Sequence, residues 1–170
     1  MIRVVFTKSN MFIGKLIQKI IKGLSHSMIQ TPNSVWGGEW ITESTFPMVI
    51  QHPAEQSRHN IFAEFECLFD AKKGFKRLRP EFGRLYDIPG LFGFGWVILL
   101  WRVFKIKTKN PFASSKALVC SEFITLWFQG CELPDVHKWQ PEKSSPARLY
   151  RYCLKHPELF RAIKENDEQR

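Results

Sequence analysis

Two short stretches carry residues able to do nucleophilic chemistry: Lys116 to Ile124, centred on Cys120-Ser121-Glu122, and Ser25 to Ile29, centred on His26. A cysteine that opens an amphipathic helix sits where backbone N–H groups and the positive end of the helix dipole converge, and this favours thiolate over thiol. Cys120 is therefore a candidate nucleophile. It needs a base, and His26, beside a small polar residue at the head of an apolar run, supplies one from a rigid strand. Acyl chemistry on such a thiolate asks for an imidazolium beside it, donors for the tetrahedral oxyanion, and a third group that fixes the imidazole tautomer. The backbone N–H of Cys120 is placed to be one oxyanion donor.

Each of these residues also has an ordinary reading. Cysteine is among the most often buried residue types, and Cys67, Cys131 and Cys153 read as core or helix packing. His52, His59, His137 and His156 read as surface or capping residues. Glu122 reads as support for the first turn of the nucleophile helix through the dipole.

The elements that must position this chemistry follow from apolar spacing and turn residues. Ile2 to Thr7 reads as a buried strand. Ser9 or Asn10 then caps a helix whose apolar Ile13, Leu16, Ile17, Ile20, Ile21 and Leu24 lie on one face, ended by Gly23. Lys15, Lys19 and Lys22 lie off that face, a pattern that suits a helix packed on a sheet and is compatible with a membrane surface. His26 to Gln30, Glu39 to Thr45 and Ile61 to Phe69 read as strands, with a turn at Gly37-Gly38 and a short apolar piece, Met48 to Ile50, between Pro47 and Pro53. Lys72 to Tyr86 is basic and weakly helical, and Pro80 argues for a break inside it.

Asp87 and Pro89 start an almost wholly apolar segment, Ile88 to Trp101, shorter than the ~20 residues of a membrane span and read as a buried helix, with a membrane-dipping helix as the alternative. The nucleophile helix should end at Gly130. Ser145-Pro146 is a cap followed by proline at the first helical position, so Ala147 to Lys155 should be helix, and Pro157 should start another through Ile163.

The chain has 170 residues, 44% of them hydrophobic and 14% aromatic, enough to fill one core and too few for two. It reads as one domain over residues 1–163 with a polar tail over 164–170. The net charge of +9 would attract nucleic acid, anionic lipid or an anionic wall polymer without choosing among them. No helix-turn-helix, zinc-finger or RNA-recognition pattern accompanies the basic residues, so charge alone does not argue for specific nucleic-acid binding. The four cysteines show neither a metal-ligand spacing nor a disulfide framework, so no cofactor and no metal is expected. Met1 to Phe6 lacks the pattern of a secretory signal, and a reducing cytoplasm is expected, with peripheral membrane contact compatible with the basic surface.

Taken in order, these features resemble the circularly permuted branch of the NlpC-type papain-like cysteine hydrolases, the YiiX-like proteins, more distantly similar to lecithin-retinol acyltransferase. The resemblance rests on Ile2 to Thr7, Ile13 to Gly23, Ser25-His26, Trp40-Ile41-Thr42-Glu43-Ser44, Tyr86-Asp87 before an apolar helix, Val119-Cys120-Ser121-Glu122-Phe123, and Ser145-Pro146-Ala147-Arg148-Leu149-Tyr150. It covers roughly residues 2–160. It implies an α+β, permuted papain-like fold, in which a small antiparallel sheet carries His26 and Glu43 against the Cys120 helix, with the Ile88 to Trp101 helix behind.

The resemblance also implies Cys120 as nucleophile, His26 as general base and Glu43 as the third residue, Glu39 being the competing choice if the strand is displaced. Family membership implies amide or ester bonds of cell-wall peptides or acyl lipids, with acyl transfer as the alternative outcome. A binding or structural component, of a virus particle or membrane assembly, is the alternative of another class. The segment between His26 and Glu43 is longer than the family pattern and rich in tryptophan. Ser25, Trp36 and Trp40 are the candidates to line a substrate groove, while the two indoles would serve equally to cover the sheet edge.

Overall fold

The computed structural model describes residues 1–8, 24, 26–32, 38–45, 47–57, 60–87, 100, 104–106 and 117–165. Among these, eight strands and three α-helices form an α+β structure. The main sheet has six antiparallel strands in the order β4-β3-β2-β1-β5-β8. Its strands are β1 (Arg3–Lys8), β2 (His26–Pro32), β3 (Glu39–Ser44), β4 (Val49–Pro53), β5 (Asn60–Cys67) and β8 (Phe160–Glu165). A short parallel pair, β6 (Leu85–Tyr86) and β7 (Ala117–Leu118), adjoins it through a bridge between Met48 and Leu85. The helices are α1 (Lys72–Leu78), α2 (Cys120–Gly130) and α3 (Pro146–Lys155).

Four consecutive residues of β1, Val4 to Thr7, are buried. Since successive strand residues point to opposite faces, the sheet is covered on both sides at its centre. One face carries Val4, Phe6 and Ile29 into the main core, where they meet Phe123, Ile124, Trp127 and Phe128 of α2 and Leu149 and Tyr150 of α3. The other face carries a smaller cluster of Val5, Met28 and Ile41, with Ala54 and Ile61 against it. Tyr150 is the hub of the aromatic packing, meeting Phe6, Phe62 and Phe65 edge-on. Each side chain of this size that leaves water contributes about 1.5–3 kcal/mol.

Helix α2 is fixed lengthwise by α1. A Cβ built on Gly74 would stand 2.3 Å from Trp127 Cδ1, and one on Gly130 would stand 2.6 Å from Arg77 Cβ, so the helices meet backbone to backbone at these glycines. The indole Nε1–H of Trp127 donates to the carbonyl of Ala71 at 3.2 Å and fixes the register of the crossing. The solvent side of α1 holds the exposed Lys72, Lys73, Lys76 and Arg77, one of the basic stretches of the chain.

Three expectations change. The sheet is larger than the small one anticipated. Residues 157–163 do not form a helix: Pro157 to Leu159 turn, and Phe160–Glu165 adds an edge strand to β5, pairing Phe160 with Cys67. Phe160 is buried against Phe69, Phe128 and Tyr152, and that apolar anchor outweighs the helix-start signal of Pro157. The strand also runs through Lys164 and Glu165, two residues into the stretch assigned to the tail. The α3 prediction matches, with Ser145 Oγ accepting the Arg148 N–H at 3.3 Å and Pro146 in the first turn. The helices expected over residues 13–24 and 88–101 lie, but for Leu24 and Leu100, outside the described residues.

Candidate active site

Cys120 owes its place to the strand before it. The Leu118 carbonyl accepts two hydrogen bonds, from Ser44 Oγ at 2.9 Å and from the Asp87 backbone N–H at 3.2 Å. Ser44 ends β3 and follows Glu43 directly, so β3 and β7 are tied together one residue from Glu43 and two from Cys120. Val119 is extended, with φ −96° and ψ 161°, and α2 opens at Cys120. Valine has no side-chain acceptor to cap the helix, so the cap is one-sided: Glu122 Oε2 accepts the Val119 N–H at 3.0 Å. Burial pushes the Glu122 carboxyl up to about 7, against the lowering effect of that N–H, and the nearby Asp87 and Glu142 add to the rise.

His26 and Glu43 are brought together by sheet register. Ile29 pairs with Thr42 across β2 and β3, which puts Glu43 diagonal to His26 on the same side of the sheet. His26 Nε2 is hydrogen-bonded to Glu43 Oε2, and both residues are buried. Nδ1 is then the nitrogen left for the thiol of Cys120, which lies within hydrogen-bonding reach of the ring. Burial by itself would lower the imidazole pKa. The negative charge and hydrogen bonding of Cys120, and then of Glu43, outweigh it and push His26 up to about 10. Residues 26, 43 and 120, on three separate elements, thus converge on one buried imidazole.

Glu39, the competing third residue, is spent elsewhere. It pairs with Arg3 at 3.3 Å and accepts from Gln30 Nε2, away from the histidine. Trp40 is half-buried in β3 and paired with Thr31 and Pro53, on the opposite alternation to Glu43. Ser25 and Trp36 lie outside the described residues.

Two residues beside the triad candidates were given no part in the site by sequence. His52, read as a surface or capping residue, stands on β4 with its Nε2 2.9 Å from Glu43 Oε1 and its Nδ1 3.0 Å from the Pro53 carbonyl. Pairing of His52 with Ile41 puts it on the diagonal of Glu43, a relation visible only once the β3–β4 register is known. Tyr86 pairs with Leu118, and burial, followed by the charges of Cys120 and Glu43, holds its phenol well above the ordinary tyrosine range. It therefore remains a protonated phenol within the electrostatic reach of Cys120 and Glu43.

The remaining cysteines are free thiols of a different kind. Burial pushes Cys131 up to about 12 and raises Cys67 and Cys153 as well. Cys131 Sγ donates to the Ala71 carbonyl at 3.6 Å, and Cys153 is packed in the core. Among the described residues no cluster of His, Cys, Asp and Glu has the arrangement of a metal site, and no helix is long and apolar enough to cross a membrane. In comparisons with known proteins, no family model and no curated sequence matches the chain.

Proposed function

We propose that this chain is a thiol hydrolase of the permuted papain-like kind, cleaving an amide or ester bond through an acyl-enzyme intermediate. The observation that carries the reading is the shared imidazole: His26 lies between Cys120, at the head of a buried helix, and the carboxylate of Glu43. Nucleophile, base and orienting acid are the three parts such a reaction needs. The other cysteines, held protonated by burial, have no such surroundings.

In this reading Cys120 Sγ attacks the substrate carbonyl as a thiolate, and the C–S bond forms as the carbonyl π pair moves to oxygen. The oxyanion is met by the backbone N–H of Cys120 at the helix start. Collapse of the intermediate breaks the bond to the leaving amine or alcohol, which takes its proton from His26. A water then loses a proton to His26 and attacks the thioester, releasing the acid and restoring the thiolate–imidazolium pair. Glu43 holds His26 in the tautomer that directs Nδ1 to sulfur. Cell-wall peptides or acyl lipids are the substrate classes we propose, in keeping with the resemblance read from the sequence and the basic surface.

The test is the rate of iodoacetamide alkylation of Cys120 against pH, read by mass spectrometry of the labelled peptide in the native protein and in His26→Ala. Labelling should be rapid well below the ordinary thiol pKa of about 8.5 and should revert to ordinary thiol behaviour in the variant. Labelling no faster than that of Cys131 or Cys153 would sink the hydrolase reading and leave a binding or structural component.

A further inference from the structure

We infer that His52 is a fourth member of the site, a positioning residue that holds the Glu43 carboxyl group through a proton shared between His52 Nε2 and Glu43 Oε1; this rests on the thiol-hydrolase reading above. Glu43 is 2% exposed and its two oxygens go to two different rings, Oε2 to His26 and Oε1 to His52. Three strands supply the set: His26 on β2, Glu43 on β3 and His52 on β4, all on one alternation of the sheet. The chain of contacts is therefore Cys120, His26, Glu43, His52 and the Pro53 carbonyl.

The donor inventory fixes how this chain runs. A carbonyl oxygen only accepts, so the 3.0 Å contact to Pro53 requires the proton of His52 to be on Nδ1. The 2.9 Å contact from Nε2 to Glu43 Oε1 then needs a further proton, resident either on the ring or on the carboxyl. Either way one proton sits between His52 and Glu43. With both oxygens tied, the carboxyl group cannot turn about its last bond, and Oε2 stays aimed at His26.

The same proton settles the charge. A thiolate, an imidazolium and a carboxylate sum to one negative charge in a site where all three residues are buried. Burying an unbalanced charge is costly, and the proton shared with His52 makes the set of four neutral. The side chain of His52 is the more exposed of the two rings, 16% against 11% for His26.

The experiment separates the two ring nitrogens. Glutamine at position 52 puts an amide N–H near the place of Nε2, and asparagine puts one near the place of Nδ1. The alkylation rate of Cys120 at neutral pH, the ring resonances of His26 and the melting temperature are measured for the full chain and for His52→Gln, His52→Asn and His52→Leu. His52→Gln should stay within about three-fold of the parent protein, while His52→Asn and His52→Leu should lose about ten-fold or more, as orienting partners of active groups typically do. The His26 resonances should shift only in the latter two. If His52→Asn keeps the parent rate while His52→Gln loses it, His52 serves only to anchor Pro53 and the inference is overturned. Equal rates in all variants, or equal losses in all three, overturn it too, since the placed donor would then have made no difference. In each of these cases the parent protein still shows His26-dependent labelling, so the hydrolase reading survives. A parent Cys120 that labels no faster than Cys131 removes both.

Discussion

Replacing Glu43 by glutamine should lower the pH at which His26 gives up its proton. The carboxylate is buried and bonded to both His26 and His52, so the substitution keeps the shape and removes the charge. A glutamine amide offers one acceptor and one donor group where the carboxylate offers two acceptors. If its oxygen faces His26 Nε2, its NH2 faces His52, and the proton now between His52 and Glu43 has no acceptor. A hydrogen bond to a charged group contributes about 1.5–3 kcal/mol, and about 1.4 kcal/mol corresponds to one pKa unit. The titration of His26 should therefore fall from about 10 by roughly one to two units. Cys120, which feels the imidazolium as its counter-charge, should lose roughly ten- to a hundred-fold in alkylation rate at slightly acidic pH. The assay follows the His26 ring resonances and Cys120 alkylation in parallel from pH 5 to pH 11, in the parent protein and in Glu43→Gln. A His26 midpoint that stays in place or rises, in a folded variant, would refute the electrostatic reasoning.

Two further outcomes test the frame around the site. The Glu122 carboxyl is raised from 4.5 to about 7 by burial, so the native state binds that proton more tightly than the unfolded chain does. The charged carboxylate thus costs stability, increasingly as pH rises through 4.5 to 7 and in full above that window. Glu122→Gln still accepts the Val119 N–H and should match the parent protein below that window. Above it the variant should be more stable by up to about 2 kcal/mol, after allowing for water on the exposed part of the group; urea unfolding at pH 4 and pH 8 measures the difference, and a gain confined to pH 4 would contradict the sign. Gly74→Ala should destabilise by about 1–3 kcal/mol or more through overpacking at the α1–α2 crossing. The melting temperature should fall by about 2–4 °C per kcal/mol, whereas an unchanged value would mean that the helices separate freely there.

What the sequence by itself determined is whatever local chemistry dictates. The Ser145-Pro146 cap starts α3 because an N-cap oxygen and a pre-set proline φ act within one turn. Strand β1 and the helix from Cys120 to Gly130 follow from short apolar runs with polar or glycine ends. The candidacy of Cys120 rests on the same local logic, a thiol at a helix N-terminus. Through the family resemblance, residue order pointed to His26 and, ahead of Glu39, to Glu43.

Tertiary structure decided everything that depends on pairing across the chain. Residues 157–163 carry a helix-start signal, yet β8 forms because Phe160 finds its core on β5, a partner more than 90 positions away. β4 runs on to Pro53, past the apolar stretch that ends at Ile50, because an edge strand tolerates a proline without a ladder donor. The choice between Glu39 and Glu43 follows from the β2–β3 register, which sets one carboxylate beside Arg3 and the other beside His26. The place of His52 depends on two registers at once, and no single-sequence signal distinguishes it from a solvent-facing histidine. Helix spacing and caps are written within a few residues, whereas a buried site built on three strands and a helix end is a relation among distant residues that exists only after the sheet has closed.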